Sequence, residues 1–132
     1  MIYLLDTNTW IAYLKGNQAV LERIMQTPRL GITSISLGEL CYGARKSQRV
    51  EANLQRVETL ASEVQIFTVD ALTAQAYGMI RADLERQGTP IGPNDLWIAA
   101  VAKANDLMLV TRNQREFTRV VGLRLEDWES DS

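Results

Sequence analysis

Histidine is absent from these 132 residues, and cysteine occurs once, at Cys41. Without histidine the chain lacks the commonest general base and the usual imidazole ligand of transition metals. One cysteine excludes an intrachain disulfide and a cysteine-built zinc site. Any metal must therefore be held by oxygen, which selects a hard cation such as magnesium or manganese. No stretch approaches the roughly 18 consecutive apolar residues that span a bilayer. The first residues also lack the basic, apolar and small-residue succession of a secretory signal. The expectation is a cytoplasmic protein with no membrane association. A large excess of one charge is missing too: 16 acids face 14 bases, for a net charge of -2. That argues against a general nucleic-acid coat, whose affinity rests on neutralising many phosphates, but leaves room for a local basic patch.

What is present is a 46% hydrophobic content spread along the chain, enough to bury the core of a single domain over residues 1–132. Ile2-Tyr3-Leu4-Leu5 is a short apolar run that stops at Asp6-Thr7-Asn8, the pattern of a buried strand with a polar end. Ligands of open parallel sheets bind at the carboxyl ends of strands. Thr7 or Asn8 is expected to cap a helix reaching about Lys15, with Trp10, Ile11 and Leu14 inward. An amphipathic run from Ala19 to Met25, a strand at Leu30–Thr33 and a helix opening at Ser34–Ser36 follow, with Gly43 ending or loosening that helix. Ala44–Arg49 reads as a basic connection. Further on come a helix over Glu51–Ala61, a strand at Val64–Phe67, and a helix over Ala71–Gln87 capped by Asp70.

Two of the three prolines fall in Gly88-Thr89-Pro90-Ile91-Gly92-Pro93, where no regular element survives. The helix beginning at Asn94-Asp95 is apolar nearly all round, which marks it as central. Strands at Leu107–Val110 and, at an edge, Leu123–Leu125 complete the pattern. Strands alternating with helices predict an α/β fold with a parallel sheet covered on both faces.

Asp6, Glu39 and Asp95 each sit where an apolar element gives way to a turn or a helix start. In a parallel sheet all three can face one edge. Clustered carboxylates repel unless a cation lies between them, and a divalent ion with oxygen ligands both removes that cost and activates water. Each residue also has a plainer explanation. Asp6 can cap the next helix, Glu39 completes a capping box with Ser36, and Asn94 and Asp95 suit the first turn of a helix.

Four segments together resemble the PIN-domain ribonucleases, and within them the VapC toxins of toxin–antitoxin pairs. They are Leu4-Leu5-Asp6-Thr7-Asn8, Ile35–Gly43 with Glu39-Leu40, Gly88–Ala100, and Leu109–Asn113 running on through Glu116-Phe117 and Gly122-Leu123. The resemblance covers nearly the whole chain. It implies a three-layer α/β/α sandwich around a parallel five-stranded sheet, with Asp6, Glu39 and Asp95 holding Mg2+ or Mn2+. The family's fourth acidic position falls on Asn113, which carries no charge. Glu116 is near enough in sequence to stand in, or is a plain surface acid. Thr111 can hydrogen-bond a water or a phosphate, or serve neither.

The activity so implied is hydrolysis of RNA phosphodiesters leaving a 5′-phosphate and a 3′-hydroxyl, with a structured RNA such as a tRNA as substrate. Arg112, Arg115, Arg119 and Arg86 are candidates for phosphate contacts, or solvated surface residues. The implied partners are a small VapB-type antitoxin, through which operator DNA is reached indirectly, and a second copy of the chain in a homodimer. Trp10, Tyr13, Leu14 and the 51–61 helix are candidates for the antitoxin groove, for the core or for a dimer face. Two rivals remain at this level. Asp6-Thr7-Asn8-Thr9 resembles the D-x-D-x-T motif of haloacid-dehalogenase phosphatases with its second acid replaced, and Asn113 leaves room for a PIN fold kept as a non-catalytic binding module.

Overall fold

The structure, a computed structural model, describes residues 1–129. Five strands, β1 (Tyr3–Leu5), β2 (Leu30–Thr33), β3 (Gln65–Phe67), β4 (Met108–Val110) and β5 (Arg124–Glu126), form one sheet. Their order is β3-β2-β1-β4-β5 and every neighbouring pair is parallel. The helices are α1 (Thr7–Leu14), α2 (Gln18–Gln26), α3 (Ser34–Arg45), α4 (Val50–Glu63), α5 (Ala71–Arg86), α6 (Pro93–Ala104) and α7 (Gln114–Phe117). Chain order reverses on either side of β1, so the sheet's switch point lies between β1 and β4. Both strands end there in polar residues, Asp6 and Thr111.

Alternating side chains divide the core into two layers. Leu4 and Leu109 face α5, α6 and α7, packing with Ile80, Leu84, Ile98 and Phe117. Leu5, Ile32 and Val110 face α1 to α4, packing with Trp10, Val20, Leu40 and Leu60. Leu4 and Leu5 are both fully buried, each stabilising the fold by about 1.5–3 kcal/mol. The result is the expected three-layer α/β/α sandwich. Gly31 makes room for the Phe67 ring against β2: a Cβ there would meet Phe67 Cε2 at 2.7 Å.

Several local details sharpen or differ from expectation. Of the three residues expected to be able to cap α1, Asp6, Thr7 and Asn8, it is Asp6 that does so, its Oδ1 accepting from the Thr9 amide at 2.9 Å. Thr33 caps α3, so the Ser36–Glu39 capping box does not form, and Gly43 lies inside a helix that continues to Arg45. The short α7 lacks an apolar period long enough to be read in advance. Strands β3, β4 and β5 each begin one residue later than expected, α4 extends beyond the expected range at both ends, and α6 begins at Pro93, inside the stretch expected to be irregular. Among the described residues no helix is long and apolar enough to cross a membrane.

Candidate active site

Parallel pairing fixes the first carboxylate. The Asp6 amide donates to the Val110 carbonyl at 3.0 Å, carrying the β1–β4 ladder one residue beyond the strands. The Asp6 side chain, only 4% exposed, has both oxygens engaged. Oδ1 accepts from the Thr9 amide, and Oδ2 accepts from the Thr111 hydroxyl at 2.6 Å. Thr111 is fully buried, and its Oγ1 also accepts from the Asn113 amide at 3.0 Å. Its hydroxyl is therefore spent on positioning Asp6 rather than offered to a phosphate.

Glu39 reaches the same place from the second turn of α3. Its Oε1 accepts from the Thr7 hydroxyl at 2.5 Å. Asp95 arrives from the first turn of α6, which the rigid loop over residues 88–92 delivers and Pro93 starts at N1. Asp6, Thr7, Asn8, Glu39, Gly92, Pro93, Asn94 and Asp95 line one cleft of about 280 Å³. No lysine or arginine is among them.

Electrostatics follow from that placement. Burial pushes the Asp6 carboxyl above its ordinary range, opposed by the hydrogen bonds from Thr111 and Thr9 and reinforced by Glu39. Burial, followed by repulsion from Asp6, Glu116 and Glu39, pushes Asp95 up to about 6. Among the described residues no hydrogen bond to Asp95 offsets this. A cleft of mutually repelling oxygen donors with no basic side chain in its lining fits a hard divalent cation. As the side chains stand, however, no three acids among the described residues are gathered closely enough to enclose one ion. Enclosing one ion with all three therefore requires their side chains to rearrange.

The remaining candidates separate clearly. Asn113 occupies the N-cap position of α7 without a side-chain capping bond. Glu116, in the first turn of α7, is close enough to raise the Asp95 pKa. Arg112 is largely exposed and lies 3.9 Å from Glu129. Arg115 is exposed and Arg119 half-buried, both outside the cleft lining. Arg86 pairs with Asp83 at 3.3 Å and lines a different cavity with Lys103 and Val120, so it is not part of the acidic cleft.

Two neighbours of the site escaped sequence reasoning. Thr7 bonds Glu39 across 32 residues of chain. Glu129 has a carboxyl raised first by burial and, more weakly, by Asp127 and Asp6, with Arg112 opposing. The only advance signal for Glu129 was the preceding Trp128, whose burial against Tyr3 draws the chain back over the sheet.

A second depression adjoins the first at Glu39. Ile11, Leu14, Leu40 and Val57 give this groove of about 500 Å³ an apolar floor, and Lys15, Lys46 and Arg56 border it. Trp10 is not part of it: the ring is buried in the core and Nε1 donates to the Gly31 carbonyl at 3.3 Å. Tyr13 and Leu14 line a neighbouring cavity against α4.

Comparison with known proteins identifies the family and the fold. Residues 3–123 match the family described as PIN domain. The chain is 46% identical over 128 residues to a Shigella flexneri protein named tRNA(fMet)-specific endonuclease VapC, covering 96% of this chain and 97% of that one. Its fold matches a chain in the crystal structure of DNA-bound VapBC from Salmonella typhimurium with a TM-score of 0.91 at 45% identity, covering 97% and 98% of the two chains. A chain of VapBC-1 from nontypeable Haemophilus influenzae also matches at a TM-score of 0.91, with 36% identity and 98% and 100% coverage.

Proposed function

The chain belongs to the PIN-domain family, within it to the VapC ribonucleases, and from that membership we propose that it is the endoribonuclease toxin of a type II toxin–antitoxin pair. Its reaction is hydrolysis of RNA phosphodiesters, with Asp6, Glu39 and Asp95 holding Mg2+ or Mn2+. The observation that carries this reading is the convergence of three acids from β1, α3 and α6 on one cleft without a basic side chain. The relative's name makes a tRNA the favoured substrate class.

When bound, a divalent ion lowers the pKa of water and offsets charge that builds on the phosphoryl oxygens. The protein's own contribution is positioning. Asp6 is held at both oxygens by Thr9 and Thr111. Pro93 starts α6 so that Asp95 stands at the cleft rather than on the solvated side of the helix. Glu116 supplies negative charge beside Asp95 where Asn113 supplies none. In this reading Arg112 and Arg115, beyond the end of β4 and outside the cleft lining, supply the positive charge that substrate phosphates need.

A free ribonuclease of this kind needs restraint, and the solved relatives include VapBC complexes, one of them bound to DNA. The apolar, base-bordered groove adjoining Glu39 suits a VapB-type antitoxin segment, whose seat there would cover one wall of the acidic cleft. DNA contact then belongs to that partner, and a homodimer is the expected state of the toxin.

The test is cleavage of total cellular RNA by the antitoxin-free chain with magnesium, manganese or EDTA, alongside Asp6→Asn and Asp95→Asn. Discrete fragments that need the ion and vanish in both variants support the proposal. RNA left intact by wild type under every condition favours a non-catalytic binding module.

A further inference from the structure

We infer that Thr7 is a positioning residue for Glu39: its hydroxyl, steadied by Ser36, fixes that carboxylate at the cleft and so sets the affinity of the site for a divalent cation. The inference rests on the cation-dependent reading given above and adds to it a residue that is not itself an ion ligand.

The three acids are restrained to different degrees. Asp6 is bonded at both oxygens and, among the described residues, Asp95 at neither. Glu39 lies between these extremes. It has a long side chain with three torsions, and its tether is the Thr7 hydroxyl at 2.5 Å. Thr7 follows Asp6 directly and occupies the first position of α1, so a bond from Thr7 to Glu39 couples the α3 carboxylate to the end of β1.

The direction of the bonds follows from proton counting. Thr7 Oγ1 also lies 2.8 Å from Ser36 Oγ. A threonine hydroxyl has one proton and an ionised carboxylate only accepts. Thr7 therefore donates to Glu39, and Ser36 donates to Thr7. Ser36 is completely buried, and its amide is fixed by Thr33 Oγ1 at 2.9 Å, so the relay starts from an immobile point. Aligned donors of this kind polarise one another. The relay uses one Glu39 oxygen and leaves the other free for the ion. Groups that hydrogen-bond a metal's carboxylate ligands typically change metal affinity by about 10–100-fold when removed.

The experiment is a titration of the EDTA-stripped full chain with Mn2+, following free Mn2+ by electron paramagnetic resonance, for wild type, Thr7→Val, Thr7→Ser, Ser36→Ala and Asp95→Asn. Far-UV circular dichroism and thermal unfolding in EDTA check the fold of each. The expected result is about tenfold weaker binding for Thr7→Val, recovery to within about twofold in Thr7→Ser, and an intermediate loss for Ser36→Ala. Wild-type affinity in Thr7→Val, with binding lost in Asp95→Asn, overturns the role of Thr7 and leaves the cation reading standing. Tighter binding in Thr7→Val also overturns it, since Thr7 would then compete with the ion for Glu39. Wild-type affinity in both Thr7→Val and Asp95→Asn overturns the cation reading together with this inference. Should Thr7→Val fail to fold, Ser36→Ala decides: reduced affinity supports the relay and unchanged affinity overturns it.

Discussion

Replacing Asp95 by asparagine should stabilise the ion-free protein at neutral pH while removing its response to manganese. In the folded chain Asp95 is pushed from 3.8 up to about 6 by burial and by repulsion from Asp6, Glu116 and Glu39. Between those values the folded chain holds a proton that the unfolded chain has released. Stability is therefore lost as pH rises through that window, and wild type at pH 7.5 bears the full penalty. A shift of about two units corresponds to roughly 3 kcal/mol. The carboxyl is only half-buried, and solvent screening reduces this to about 1.5 kcal/mol. The positive end of α6 offsets about 0.5 kcal/mol of that, because Asp95 lies in the first turn. The net gain expected for Asp95→Asn is about 1 kcal/mol, or roughly 3–5 °C in Tm for a domain of this size. The assay is thermal and urea unfolding in EDTA at pH 7.5 and 4.5. At pH 4.5 the wild-type carboxyl is mostly protonated in the folded chain, and the gain should shrink to about a third of its value at pH 7.5. With millimolar Mn2+ the order should reverse, wild type gaining stability that the variant lacks. A variant no more stable than wild type in EDTA at pH 7.5, or a gain independent of pH, would refute the repulsive cleft.

Thr111→Val removes a hydrogen bond to a buried carboxylate, and urea unfolding at pH 7.5 should register a loss of about 1.5–3 kcal/mol; a change within 0.5 kcal/mol (roughly the scatter of surface substitutions) would show that Asp6 does not depend on it. Gly31→Ala forces the Phe67 ring from its place beside β2 and should cost about 1–3 kcal/mol in the same assay, whereas wild-type stability would show that the ring yields freely. Replacing Arg112 and Arg115 together by alanine should weaken RNA binding and flatten its log–log salt dependence by about 1.4, at roughly 0.7 per phosphate contact. An unchanged slope would remove both from the substrate path.

How much of this was legible in advance depended on the range of the interactions involved. Strand β1 and its abrupt end at Asp6 were readable because four apolar residues followed by a carboxylate have few other uses in an alternating chain. Helix α6 was readable because its apolar residues fall on nearly every side, although it begins at Pro93, inside the stretch expected to be irregular, because proline suits the first helical position. The cap of α1 was harder to place: Asp6, Thr7 and Asn8 are all good capping residues, and only the β1–β4 ladder extending to the Asp6 amide selects the first of them. Ser36 and Glu39 have capping-box spacing, yet Thr33 is the residue positioned to cap α3, and Glu39 turns to Thr7 instead. The links from Thr7 to Glu39, Thr111 to Asp6 and Arg112 to Glu129 depend on which strands are neighbours, information that local pattern does not carry. Arg86, close to the proline-glycine loop in sequence, pairs with Asp83 because helical spacing puts the two on one face of α5.

The most direct test of the central claim is a crystal of the full chain soaked in Mn2+, with diffraction recorded at the manganese absorption edge. The account predicts an anomalous peak in the cleft within coordination distance of the Asp6 and Asp95 carboxylates, with Glu39 bonded to it directly or through one water, and no such peak in Asp95→Asn. A wild-type cleft empty at saturating manganese, or an ion bound elsewhere on the chain without these carboxylates, would contradict it.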